Sequence, residues 1–258
     1  MVGRLQDRVA MITGGGGALG LCFAQAFVRE GARVIVADVS PDAVDVACAT
    51  LGDASRGIVV DIVCREQIAA AVELAGRAFD GIDILVNTAA RFDMAALPEA
   101  TEDQFDRLFN VNVKGLYFTI QNVATGMIRR GKGGKIINIA SEAGRRGEKY
   151  SSLYSATKAA VINLTQSLGD ELIGHGINVN AISPGVIDTP MLDRAADLLA
   201  RIEGATRAEA RCGFSSHLPI GRLSRPEDLA GCAVFLASSE SDYVVGQTYN
   251  VDGGRHMN

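Results

Sequence analysis

Val9-Ala10-Met11-Ile12-Thr13-Gly14-Gly15-Gly16-Gly17-Ala18-Leu19-Gly20 is the stretch on which the reading of this chain turns. Its first four residues are a short apolar run of strand character, and from about Ala18 to Arg29 the apolar spacing is that of a helix. Gly31 ends that helix as a left-handed residue would. A strand that passes through glycines into a helix lets the backbone turn tightly and come close to a phosphate. The helix start then offers N–H groups and the positive end of its dipole. A turn with no ligand is the plain alternative, but four consecutive glycines are costly in backbone entropy.

Outward from this stretch, strand-like and helix-like segments alternate. Strands are expected at Arg33–Ala37, Gly57–Val60, Ile82–Val86, Lys135–Ile139, Ile177–Ile182 and Gln247–Val251. Helices are expected from Ser40-Pro41-Asp42, over about Arg65 to Phe79, from about Thr101 to Arg130 and from about Ser151 to Ile173, with a last one from Pro226 to about Leu236. Val/Ile-rich strands between helices predict an α/β protein. Its parallel sheet, of about seven strands, is doubly wound with helices on both faces and takes ligands at the strands' carboxyl ends. No linker or repeat divides the 258 residues, so one domain is expected. The charged segment at about 188–218 breaks the alternation and is placed to act as a lid.

Hydrophobic residues make up 48% of the chain and charged residues 21%, with a net charge of −5. Lacking a basic block, the chain is read as having no nucleic-acid or membrane partner. Arg4, Asp7 and Arg8 interrupt the N-terminus, so no secretion signal is read there, and no apolar window approaches the roughly 18 residues of a spanning helix. Cys22, Cys48, Cys64, Cys212 and Cys232 are odd in number and have no C-x-x-C spacing. They read as reduced thiols of a cytoplasmic protein. His175, His217 and His256 are scattered, and no metal site is expected.

Asp38 ends the second strand. A carboxylate there accepts hydrogen bonds from the adenosine ribose hydroxyls and repels a 2′-phosphate. Val39 and Ser40 follow with no cation, so the cofactor expected is NAD rather than NADP. A helix-capping aspartate is the alternative use of Asp38.

Tyr154 and Lys158 stand one helical turn apart near a helix start, so the phenol and the ammonium share a face. An ordinary phenol, with a pKa of about 10, is a poor base at neutral pH. Bringing it near neutrality takes roughly 4 kcal/mol, which Lys158 and a positive nicotinamide ring are expected to supply together. Ser141, at the end of the fifth strand, is placed to hold the substrate oxygen against the phenol. Asn112 is placed to hold a water linking Lys158 to solvent. A Tyr-x-x-x-Lys pair alone says little; the order of glycine loop, Asn, Ser and then Tyr-x-x-x-Lys says much more.

That order resembles the short-chain dehydrogenase/reductase family over nearly the whole chain. The resemblance implies a Rossmann fold with catalytic Asn112, Ser141, Tyr154 and Lys158. It implies NAD contacts at Gly14, Gly17, Leu19, Gly20, Asp38, Asp61, Ile62, Asn87, Ala89, Tyr154 and Lys158. It also implies a nicotinamide-binding turn at Pro184, Gly185, Ile187 and Thr189, with the Ile187 backbone and the Thr189 hydroxyl on the carboxamide. Family members commonly assemble as homotetramers through the helices near Thr101 and Ser151 and the C-terminal strand. Two departures stand out: Ala18 replaces a glycine of the loop pattern, and Thr88 and Ala90 replace residues of the Asn-Asn-Ala-Gly pattern.

For the substrate, Glu142, Arg145, Arg146, Glu148, Lys149, Asp188, Asp193 and Arg194 suggest a polar site lining suited to several hydroxyls, although a solvated face would look the same. An apolar stripe of Met191, Leu192, Ala195, Leu198, Leu199 and Ile202 would cover it. The segments at 89–93, 143–148 and 249–254 resemble the polyol subgroup, the sorbitol and galactitol dehydrogenases. The expected reaction is therefore oxidation of a sugar alcohol. Reduction of another ketone, or NAD binding without turnover, are the other readings.

Overall fold

In the computed structural model, which describes residues 3–216 and 218–257, the apolar runs become the strands of one sheet. They are β1 (Val9–Thr13), β2 (Arg33–Asp38), β3 (Ser55–Val59), β4 (Ile84–Asn87), β5 (Gly134–Ile139), β6 (Ile177–Pro184) and β7 (Thr248–Val251). The order is β3-β2-β1-β4-β5-β6-β7 and every pairing is parallel. The chain reverses direction across the sheet between β1 and β4, which opens a crevice beyond their carboxyl ends.

Both faces are covered, so the strands are apolar on both sides and alternate residues serve different cores. Ile12, Val34, Val36 and Val86 pack with Phe23 and Phe27 of α1 (Ala18–Arg29), Val44 of α2 (Pro41–Leu51) and Leu229 of the late helix Pro226–Ala237. Met11, Ile35, Leu85 and Val179 pack on the opposite face. Their partners are Ala71 of α3 (Arg65–Phe79), residues such as Ile120 and Met127 beyond Gly115, and Val161 of the helix that carries Tyr154. Ser40 caps α2, its hydroxyl accepting from Ala43 N at 3.2 Å, with Pro41 in the first turn.

Several boundaries differ from the sequence reading, β4 and β6 among them, each ending one or two residues further along the chain. β3 starts at Ser55, pairing with Val34, rather than at Gly57. It is an edge strand, where exposed polar residues such as Arg56 are tolerated, so its pattern is not apolar. The stretch from Thr101 to Arg130 is not one helix. It is α4 (Glu102–Phe109), a π-helical segment Asn110–Gly115, and α5 (Leu116–Arg130). Within that segment Gly115 lies so close to Ile62 that a Cβ would stand 2.7 Å from its carbonyl oxygen.

α6 (Ser152–Leu172) carries Tyr154 and Lys158. The segment read as a lid is two helices, α7 (Pro190–Glu203) and α8 (Arg207–Ser215), and is followed by α9 (Pro226–Ala237). His217, inside the expected lid, lies outside the described residues. On α7 the residues turned inward are Leu192, Ala195 and Ala196, whereas Met191, expected in the apolar stripe, is exposed. No helix among the described residues is long and apolar enough to cross a membrane.

Candidate active site

The glycine loop is built by close approach. Gly14 has φ +63°, and a Cβ there would come within 2.8 Å of the Ala89 backbone. Gly17 starts α1 with no side-chain cap. Gly20 lies inside the helix, where a Cβ would collide with the Gly14 carbonyl. Leu19 between them is half-buried. The two departures from the family pattern have physical accounts. Ala18 is exposed at the first turn of α1, so its methyl group displaces nothing. Thr88 Oγ1 donates to Thr13 O at 2.6 Å and to Gly14 O at 3.3 Å, which ties the end of β4 to the loop.

Asp38 lies beside this loop. Its carboxylate accepts from Gly16 N and from Ser40 N, each at 3.1 Å. Each oxygen keeps a further lone pair, enough for ribose hydroxyls. Asp61 is exposed and its Oδ1 accepts from Val63 N at 2.9 Å, while Ile62 beside it is buried against the π-helical segment. Asn87 Nδ2 donates to Asn138 Oδ1 at 2.9 Å, and Asn138 donates to Thr165 Oγ1 at 3.0 Å. This buried ladder joins β4, β5 and α6. Asn87 Oδ1 is buried and has no hydrogen-bond partner. A cradle that a Cβ would fill, an uncapped helix start and that orphaned acceptor are what a dinucleotide laid across the strand ends requires, so these residues fit one.

The sheet brings Ser141, Tyr154 and Lys158 together. Ser141 follows β5 and its Oγ accepts from Ala143 N at 3.2 Å. The turn after it presses Gly144 onto α6, where a Cβ would lie 2.6 Å from the Lys158 backbone. The Ser141 hydroxyl lies close enough to the Tyr154 phenol to pull its pKa down. Lys158 is 3% exposed, and its Nζ lies 5.7 Å from the Tyr154 ring centroid and donates to Ile139 O at 2.7 Å.

Desolvation dominates the electrostatics of the pair. Burial pushes the Tyr154 phenol up to about 12, the Ser141 hydroxyl pulls it down less, and Glu142 pushes it further up. Burial brings the Lys158 ammonium down to about 8. Protein groups alone therefore do not make the phenol acidic, because desolvation outweighs the pull of Ser141.

Asn112 has protein partners of its own. Its Oδ1 accepts from Arg91 N at 2.7 Å, and its Nδ2 donates to Arg91 O at 2.9 Å and to Thr157 Oγ1 at 3.0 Å. Its amide fixes Arg91 to α6. Phe92, next along, meets the Tyr154 ring edge-on at 4.8 Å between centroids. The sequence reading gave Phe92 no part in the site; an aromatic just past a strand end was the signal available.

Pro184 ends β6. Gly185 N donates to Val251 O at 3.2 Å, and a Cβ on Gly185 would sit 2.9 Å from Asp252 Cα. Ile187 pairs with Ser224 as an isolated parallel bridge, and Thr189, whose Oγ1 reaches Ile187 O at 3.4 Å, starts α7. The charges expected to line the site are mostly paired with protein groups. Arg145 donates to Asn250 Oδ1 at 2.7 Å and to Thr248 O, and Arg146 pairs with Glu148 at 3.1 Å. Lys149 pairs with Glu203 at 3.1 Å, and Asp188 and Asp193 both pair with Arg211. Arg194 is exposed. Glu142 is buried and pairs with Arg255 through one oxygen only.

Comparison with known proteins agrees with this geometry. The family described as enoyl-(acyl carrier protein) reductase matches residues 16–256. The chain is 50% identical to a sorbitol dehydrogenase of Cereibacter sphaeroides, over 98% of this chain and 99% of that one. It is 48% identical to a galactitol 2-dehydrogenase of Agrobacterium fabrum with the same coverage. A crystal structure of NAD+-bound xylitol dehydrogenase superposes with TM-score 0.93 at 28% identity, covering 97% of this chain and 99% of that one. The chain belongs to the short-chain dehydrogenase/reductase family.

Proposed function

We propose that this protein oxidises a sugar alcohol to a ketose with NAD. The observation that carries the chemistry is the Lys158 ammonium buried 5.7 Å from the Tyr154 ring, with the Ser141 hydroxyl beside the same phenol. Support for the substrate class is the near 50% identity to sorbitol and galactitol dehydrogenases. In this reading Gly14, Gly17, Leu19 and Gly20 hold the pyrophosphate and Asp38 the adenosine ribose. Asp61 and Ile62 border the adenine, with Asn87 and Ala89 along the adenosine. Tyr154 and Lys158 face the nicotinamide ribose, and Pro184, Gly185, Ile187 and Thr189 the nicotinamide.

Ser141 Oγ and Tyr154 Oη hold the substrate hydroxyl, and Tyr154 Oη, as the phenolate, takes its proton as the carbinol carbon gives up hydride. Bound NAD supplies the hydride acceptor and a positive ring charge. Lys158, fixed by Ile139 O, keeps a cation beside the phenol. Asn112 positions Arg91 and Phe92. The same groups run the reverse reaction, and the description of the matched family favours a reductase of another ketone as the second reading.

A screen of NADH absorbance against a polyol panel and a ketone panel separates the two. Turnover of ketones with none of polyols would overturn the first. NAD binding with no turnover on either panel would leave a sensor. We also propose a cytoplasmic homotetramer, in keeping with five free cysteines and exposed Phe105, Tyr117 and Ile128 on α4 and α5. Light scattering tests the assembly.

A further inference from the structure

We propose that Arg255, in the C-terminal tail, is a positioning residue that sets Ser141 against Tyr154 by clasping both ends of the loop between them. This rests on Ser141 and Tyr154 holding the substrate oxygen, as above, and not on which alcohol they hold. The loop leaves the sheet at Ser141 and enters α6 after Ser151. At its start stands Glu142, whose Oε1 accepts from Arg255 Nη1 at 2.7 Å. Near its end stands Glu148, whose Oε1 pairs with Arg255 Nη2 at 3.4 Å. Glu148 is itself anchored to α6. Its N donates to Ser155 Oγ at 3.4 Å and its O accepts from Ser151 N at 3.1 Å. Ser155 is the residue after Tyr154. One guanidinium therefore joins the neighbour of Ser141 to the anchor of the helical turn that carries Tyr154. A planar fork with donors on two nitrogens holds two carboxylates at a fixed separation, which a flexible ammonium does not.

The clasp is also held from the tail side. Asp252 is buried, and its carboxylate accepts from Gly254 N at 3.0 Å and from His256 N at 2.9 Å. Gly253 and Gly254 have φ +67° and +86°, so the tail turns back toward the loop without strain. Asn250 Nδ2 donates to His256 O at 3.0 Å, and Ile220 N to Gly253 O at 3.1 Å. The Arg255 side chain is 18% exposed and that of Glu142 7%. Without the guanidinium, Glu142 keeps Glu148 and Asp252 nearby, with Arg146 as the cation that remains among its charged neighbours. A buried carboxylate stripped of its partner is driven toward water, and that motion carries the adjoining Ser141 with it.

The competing account is that the tail adds stability and nothing else. The test compares wild type, Arg255→Ala and Arg255→Lys in kcat, KM, NAD affinity and melting temperature. For Arg255→Ala, kcat should fall about 100-fold, the scale of a misplacement of about 1 Å, with KM and NAD affinity each changed by less than about threefold. Added guanidinium ion, able to stand between the two carboxylates, should restore kcat of this variant at least about tenfold, and sodium chloride at equal ionic strength should not. Arg255→Lys, a point charge that reaches one carboxylate, should lose about tenfold. Should the alanine variant fail to fold, the lysine variant decides through its kcat. Wild-type kcat in a folded variant of lowered melting temperature, or a loss that guanidinium ion does not relieve, overturns the proposal alone. Turnover of ketones and of no polyol by wild type overturns the polyol reading instead, and the same comparison on the ketone then decides the role of Arg255.

Discussion

Phe92 stands edge-on to Tyr154, with ring planes at 69° and centroids 4.8 Å apart. The contact is held from behind, because Asn112 clamps the backbone of Arg91 from both sides. An aromatic pair of this kind is worth about 0.5–1.5 kcal/mol beyond its buried area. Phe92→Ala should therefore lower kcat roughly tenfold while NAD affinity, measured by fluorescence titration, stays as in wild type. A variant with unchanged kcat would show that Tyr154 needs no such support.

Tyr154 should not ionise near neutrality in the protein without NAD. Its phenol is held up at about 12 by burial, and Lys158 loses its proton first, at about 8. The difference in ultraviolet absorbance between wild type and Tyr154→Phe measures this directly. No phenolate band is expected below pH 10 without cofactor, and saturating NAD should move the band downward. A band that appears below pH 9 without cofactor would mean that Lys158 alone suffices. Tyr154→Phe itself should keep NAD binding and lose at least about 100-fold in turnover, the usual scale of a lost acid–base group.

Glu142 should make stability fall with rising pH. Its carboxyl moves from 4.5 in the unfolded chain to about 7 in the folded one, mainly through burial. Between those values the folded chain binds the proton and the unfolded chain does not. The contribution is thus fully present below 4.5 and is lost as pH rises through 7. Glu142→Gln removes this dependence, so relative to wild type it should gain roughly 3 kcal/mol between pH 4.5 and 8 in denaturant titrations. Parallel curves for the two proteins would refute the assignment.

Asp38 should set the cofactor. Val39 is 62% exposed, so an arginine fits there without displacing the core. The double change Asp38→Ser with Val39→Arg should reverse the preference towards NADP, with NAD affinity falling about 100-fold through loss of the ribose hydrogen bonds. Because Asp38 also holds Gly16 N and Ser40 N, a modest fall in melting temperature should accompany it. An unchanged ratio of kcat/KM for the two cofactors would return Asp38 to a capping role.

The strands, their parallel order and the meeting of Ser141, Tyr154 and Lys158 were legible in the sequence because each rests on a local pattern that the sheet then juxtaposes. Apolar runs mark strands, glycines mark the crevice, and four-residue spacing aligns two side chains on α6. What was not legible depends on distant partners. Nothing near Asn112 says that its amide will be consumed by Arg91 and Thr157. No glycine or proline announces the π-helical segment at Asn110–Gly115 before Gly115 itself. The sign of the Tyr154 perturbation depends on how much water the surrounding chain removes, which spacing cannot report. Arg145, Glu148 and Lys149 read as site lining, yet each has a partner at 248–255 or 203, far along the chain.

The bridge between Ile187 and Ser224 has a consequence for how such an enzyme diversifies. Asp188 N bonds to Ser224 O at 2.8 Å and Ser224 N to Val186 O at 3.0 Å, so the excursion that contains α7 and α8 leaves and rejoins the body at one stitch in its backbone, with further ties at Ile220 and Glu203. Above that stitch the two helices are joined to each other by Arg207 and Arg211 on Asp193 and Asp197, which are exchangeable surface charges. Lengthening, shortening or replacing the excursion leaves the strand pairings beneath it unchanged. New substrates can therefore be tried out on a redox apparatus that does not have to refold to accommodate them.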